Sequence, residues 1–183
     1  MSTAHPEFRL GTVLATSFTA TLSERHGEPV ERIPTPKRLL DWFAVSGLPV
    51  DSCDGADLEQ ALELRESIHV AGTAVAQGET LPADRLEVIN DCSAGGHAAA
   101  VLTADGTRRW QLGSLSPARD ALGVVAADAI EILSGERDGR LAICASPTCR
   151  AIFFDTSRSR TRRWCDMNTC GNRQKKARFR NRH

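Results

Sequence analysis

The chain has 183 residues and a formal charge of zero, with 41% hydrophobic, 25% charged and 5% aromatic residues. That composition suits a globular protein with one ordinary core and a small appendix, and excludes a fibrous or disordered polymer. Charges break its longest apolar stretches within a few residues, which excludes a hydrophobic membrane span.

The zero conceals a split. Residues 1–139 carry 11 Lys and Arg against 21 Asp and Glu, a balance of −10, whereas residues 140–183 carry 12 against 2, a balance of +10. A basic end of this kind predicts a polyanionic partner. The opposite charge of the remainder predicts that the acidic part covers the basic end when no partner is present.

At the N-terminus, "MSTAHPEFRLGTVLATSF" sets Glu7 before a weak, Thr-rich apolar stretch and lacks the basic segment of a secretory leader, so the expected location is cytoplasmic. In "FRLGTVLATSFTATL", helical spacing places Leu10, Val13, Leu14, Ser17 and Phe18 on one face and predicts a first helix. A loop rich in Glu, Gly and Pro follows. "TPKRLLDWFAVSGLP" carries its own start and stop signals, with Thr35 as N-cap, Pro36 at the first helical position, and Gly47 before Pro49. The stretch "DGADLEQALELRESIHVAGTAVAQG" has an Asp cap, a stripe of Leu58, Ala61, Leu62, Arg65, Ile68 and Val75, and a closing Gly78. A short helix is expected over "PADRLEVIN".

The pattern changes at "HAAAVLTADGTRRWQLG", where Asp105-Gly106 between two extendable runs predicts a hairpin. "SPARDALGVVAADAIEILSG" returns to helix, with Ser116 as the expected cap, Pro117 opening it, and Leu122, Val125, Ala126, Ala129, Ile132 and Leu133 on the buried face. The polar "SGERDG" that ends it coincides with the charge reversal and predicts a boundary between residues 1–138 and 139–183.

Four of the six cysteines lie in the last forty residues. Cys144 and Cys149 form one C-x4-C pair and Cys165 and Cys170 a second, fifteen residues apart. Two such knuckles supply the four thiolates that structural zinc takes in tetrahedral array. The alternative is a pair of disulfides in a secreted miniprotein, against which stand the missing leader and a reducing compartment. One structural Zn2+ is therefore expected on Cys144, Cys149, Cys165 and Cys170, and Cys53 and Cys92 are read as free thiols in or near the helical core. The basic segment has few large apolar side chains, so metal binding is expected to drive its folding. "RLAIC" and "AIFFD" predict short strands around the first knuckle, and "CGNRQKKARFRNR" predicts a helix starting at the second.

On that helix Arg173, Lys176 and Arg180 share one stripe, and Lys175, Arg178 and Arg182 lie nearly opposite. A helix basic on two sides suits a major groove with phosphates on both walls, and Asn172, Arg173 and Gln174 in its first turn would stand closest to base edges. Arg158, Arg160, Arg162 and Arg163 precede the third cysteine in "SRSRTRRW" and suit phosphates. An enzyme is not expected: four thiolates leave no open zinc position, and His5, His26, His69, His97 and His183 have no metal-ligand spacing. Glu66 and His69, three apart on a helix, are read as a surface or partly buried pair.

The run "RLAICASPTCRAIFFDTSRSRTRRWCDMNTCGNRQKKARFRNR" resembles the CGNR zinc finger, the name-giving stretch being Cys170, Gly171, Asn172 and Arg173. Upstream, "LATSFTATL", "TPKRLLDWFAVSGLP", "LELRESIH" and "VVAADAIEILSG" resemble, in order, the ABATE domain that accompanies this finger. One departure is the first helix, where the family's "FVNT"-like stretch reads "SFTAT". The resemblance implies a stress-related bacterial transcription regulator with an N-terminal domain that senses a small-molecule or protein effector.

The expected fold is thus α+β and mainly α: a helical N-terminal domain with one short β-hairpin, then a treble-clef-like zinc finger of short strands and a basic terminal helix. The expected partner is DNA, with no membrane and with room for an oligomer. The alternative is an adaptor whose zinc module binds an acidic protein; RNA is less favoured, because Phe179 stands alone among the cations of the terminal helix.

Overall fold

The structure, a computed structural model, describes residues 6–180, the side chain of Arg178 excepted. Hydroxyls shape the start of the chain. Thr16 and Ser17 donate to Val13 O, Thr19 to Thr16 O and Thr21 to Phe18 O. Such back-bonding competes with a regular helix, and α1 spans only Leu14–Thr19 instead of the whole expected stretch. Leu10 accordingly leaves the predicted apolar face and is 53% exposed. The expected loop contains a small antiparallel pair, β1 (Leu22–Ser23) and β2 (Val30–Glu31).

The next helices follow their sequence signals. Thr35 accepts a hydrogen bond from Arg38 N at the head of α2 (Pro36–Val45). Asp54 and Asp57 form a reciprocal capping box at the head of α3 (Gly55–Gln77), and Gly78 ends it. Helix α4 (Ala83–Gly95) outruns the predicted segment by a turn. Strands β3 (Ala98–Leu102) and β4 (Arg108–Leu112) make the expected hairpin, paired from Ala98↔Leu112 to Leu102↔Arg108. Helix α5 (Pro117–Leu133) opens on Pro117, but Ser116 makes no side-chain cap. Asp120 organises that end of the molecule instead, accepting from His97 N and Ser114 N at 2.8 Å each and so tying both ends of the hairpin to α5.

Helices α1 to α5 surround a core in which Phe18 and Trp42 pack at 4.8 Å between ring centroids, with Phe43, Leu64, Ile68, Leu122 and Val125 fully buried around them. The C-terminal segment closes this core. Strands β5 (Arg140–Ile143) and β6 (Ile152–Asp155) pair antiparallel, Leu141 opposite Phe154 and Ala142 opposite Phe153. Side chains alternate across a strand pair. Leu141, Ile152 and Phe154 therefore enter the helical core, and Ala142 and Phe153 face a second cluster built on Cys144, Cys149 and Cys170. Gly72 lets α3 lie against β6, since a Cβ there would fall 2.6 Å from Ile152 Cδ1. A π-helical turn (Met167–Gly171) then leads into α6 (Asn172–Arg180). Among the described residues, no helix is long and apolar enough to cross a membrane.

Candidate metal centre and cationic surface

The loop that joins β5 to β6 carries the first cysteine pair; of the second, Cys165 precedes the π turn and Cys170 lies in it. Cys144 N donates to Ala151 O at 2.8 Å and Cys149 N to Ser146 O at 3.2 Å, folding residues 144–151 into a tight knuckle. At the second knuckle Asp166 accepts from Thr169 N and Thr169 Oγ1, at 2.6 Å and 2.8 Å. The two knuckles bring all four sulfurs within 4.8 Å of one another. Cys165 Sγ lies 3.7 Å from Cys149 Sγ and 3.8 Å from Cys170 Sγ. Zinc with four thiolates at about 2.3 Å in a tetrahedron requires sulfur separations of about 3.8 Å. The donor set therefore fits one structural zinc, and none of the six cysteines forms a disulfide.

Electrostatics agree with the geometry. Hydrogen bonding from Cys144 and Cys165 pulls the Cys149 thiol down, contacts with Cys144 and Cys149 push Cys165 up, and burial pushes Cys170 up. Four sulfurs this close cannot all be anionic without a cation among them, and a divalent ion removes the conflict. Ala151 N–H also points at Cys149, stabilising the thiolate. Zinc held by Cys144, Cys149, Cys165 and Cys170 would have no open coordination position and would serve to fix the two knuckles. Outside this centre Cys53 is half-buried and Cys92 buried, as expected of spare thiols, and burial pushes the Cys53 thiol up to about 11.

A family model, ABATE, described as "Putative stress-induced transcription regulator", matches residues 12–136, and that of the CGNR zinc finger matches residues 140–183. The chain belongs to the ABATE family. No curated protein matches it. Neither family model describes an enzyme family.

Within the CGNR finger the predicted cations separate into two groups. Some are engaged within the chain: Arg162 donates to Cys165 O at 3.0 Å and lies over the Phe153 ring, Arg160 pairs with Asp138, and Arg173 is held by Glu24. Others are exposed and meet no carboxylate among the described residues, namely Arg158, Arg163, Lys175, Lys176 and Arg180, with Arg163 stacked on Trp164 at 5.3 Å. Asn172 Nδ2 donates to Asn168 O at 3.2 Å, and Gln174 is half-buried. Arg182, the side chain of Arg178, His5 and His183 lie outside the described residues.

The arginine loop between β6 and the third cysteine is clipped at both ends by a carboxylate that charge counting misses. Asp155 is fully buried and accepts from Ser157 N at 3.0 Å and Arg162 N at 2.9 Å. Ala145 N donates to Arg163 O at 2.8 Å, fastening the same loop to the first knuckle. Glu66 belongs to another network, while His69 Nδ1 makes no hydrogen bond among the described residues. The Glu66 carboxylate is held by Arg25 at 2.6 Å and Arg65 at 2.9 Å, beneath the β1–β2 turn.

Proposed function

We propose that the protein is a cytoplasmic, zinc-dependent DNA-binding transcription regulator, in which residues 139–183 bind DNA and residues 1–138 receive a small-molecule or protein effector. The observation that carries this reading is the group of uncovered cations, Arg158, Arg163, Lys175, Lys176 and Arg180, all borne on segments that the zinc knuckles anchor. Cations fixed in place before binding neutralise phosphates at little ordering cost. A cavity of about 290 Å³ offers the effector a seat between the N-terminal part (Phe8, Ser17, Ser23) and the finger (Phe153, Cys165, Thr169). Occupancy there would bear directly on the second knuckle.

The test is an electrophoretic mobility assay of the full chain on duplex DNA, with zinc and after chelation, across a salt series. If about five or six phosphates are engaged, log affinity falls with log salt at a slope near −5. Binding is lost with the metal. A slope near zero, or binding unchanged by chelation, overturns the reading. Competition by an acidic polypeptide that displaces DNA poorly favours DNA; the reverse ranking favours the adaptor.

A further inference from the structure

Arg173, one of the three first-turn residues expected nearest base edges, is gripped by the N-terminal domain at Glu24. Its guanidinium donates to Glu24 Oε2 at 2.5 Å and Oε1 at 3.0 Å, and to Thr148 Oγ1 at 3.0 Å, while Thr148 Oγ1 donates to Glu24 Oε2 at 2.8 Å. The backbone closes around this triangle. His26 N donates to Thr148 O at 3.0 Å, and a Cβ on Gly27 would lie 3.0 Å from Thr148 Cβ. Glu24 is 9% exposed and sits at φ 55, a left-handed conformation that a non-glycine residue keeps only where its surroundings impose it. Three parts of the chain thus converge on one carboxylate: the β1–β2 turn, the first knuckle through Thr148, and the first turn of α6.

We infer that Glu24 and Arg173 are a positioning pair that sets the direction of α6, so that Lys175, Lys176 and Arg180 are presented to a polyanion while Arg173 stays on Glu24. This rests on the DNA-binding reading and refines it. The rival arrangement treats Glu24 as a stand-in phosphate that masks Arg173 and yields it to DNA. A mask should cover the helix, yet Lys175, Lys176 and Arg180 remain exposed. Releasing Arg173 would also strand the buried Glu24 carboxylate with only Thr148 for a partner. A bidentate fork, unlike a single ammonium, fixes orientation as well as charge.

The experiment uses the full zinc-loaded chain and duplex DNA, comparing wild type with Glu24→Gln, Arg173→Lys, Arg173→Gln and the milder Thr148→Val. Expected are losses of affinity of about tenfold for the first three and about threefold for Thr148→Val, with zinc content and salt slope unchanged. Tighter binding by Glu24→Gln would overturn the inference. So would wild-type affinity in Arg173→Lys, or an Arg173→Gln slope shallower by about one, each of which marks a phosphate contact. Should wild type bind no DNA, the functional reading fails, and the pair is judged by amide hydrogen exchange over residues 172–180. Exchange about tenfold faster in Glu24→Gln supports the pair, and equal rates refute it.

Discussion

Buried carboxylates and one half-buried imidazole set how individual residues respond to pH. Burial alone would raise Asp120 and Asp155, but backbone N–H donors outweigh it and hold both carboxyls below their usual range. Their stabilisation is complete above the unfolded carboxylate pKa and is lost only as pH falls toward and below about 4. His69 behaves differently. Burial first, and then the neighbouring Arg25, push it down from 6.5 to about 4, and its Nδ1 has no partner. Between pH 6.5 and 4 the unfolded chain binds a proton there that the folded chain refuses, so stability falls with pH in that window. From pH 7 to 5 the loss at this site is about 2 kcal/mol. Denaturant titrations should show His69→Gln losing about that much less than wild type over the same interval. The paired comparison cancels the zinc thiolates, which also take up protons in acid; equal losses in both proteins would deny His69 this role.

Helix α5 packs backbone to backbone against the end of α4. A Cβ on Gly123 would fall 2.7 Å from Gly96 Cα and 3.2 Å from Cys92 O, both backbone atoms that cannot rotate away. Ala at a helix interior gains about 1 kcal/mol over Gly. Forcing a methyl into packed backbone costs about 1–3 kcal/mol or more. Because backbone stands on both sides of the new methyl, the cost sits at the upper end, about 3 kcal/mol. Gly123→Ala should therefore lower stability by about 2 kcal/mol, visible as a fall in Tm of roughly 4–8 °C; an unchanged or raised Tm would show that the helices slide apart freely. The elements legible in the sequence were those with local signals: Thr35-Pro36, the Asp54–Asp57 box, Asp105-Gly106 and the two cysteine pairs. Helix α1 was overextended because its hydroxyls bond back to carbonyls, which apolar spacing does not register. Strands β1 and β2, at two residues each, are too short for periodicity to reveal. The four zinc ligands were legible because their spacing is local. The partition of the cations was not, because Arg173 finds Glu24 across 149 residues and Arg160 finds Asp138 across 22.

At the scale of the whole molecule, the −10 and +10 segments share one wall. The hairpin β5–β6 gives Leu141, Ile152 and Phe154 to the helical core and turns Ala142 and Phe153 toward the zinc knuckles. A metal that fixes Cys144 and Cys149 therefore fixes the register of two strands that the helices need. Removing it should loosen the helical core as well as the finger, so folding of the two parts is coupled through apolar contact as well as through Glu24 and Arg173. Zinc at a thousandfold excess over its dissociation constant stabilises the folded chain by about 4 kcal/mol. Thermal unfolding followed by helical circular dichroism should accordingly show a single transition that moves to lower temperature on chelation and recovers when zinc is restored. A helical transition indifferent to the metal, with a separate one for the finger, would mean that the shared wall transmits nothing. The Glu24–Arg173 contact would then transmit nothing either.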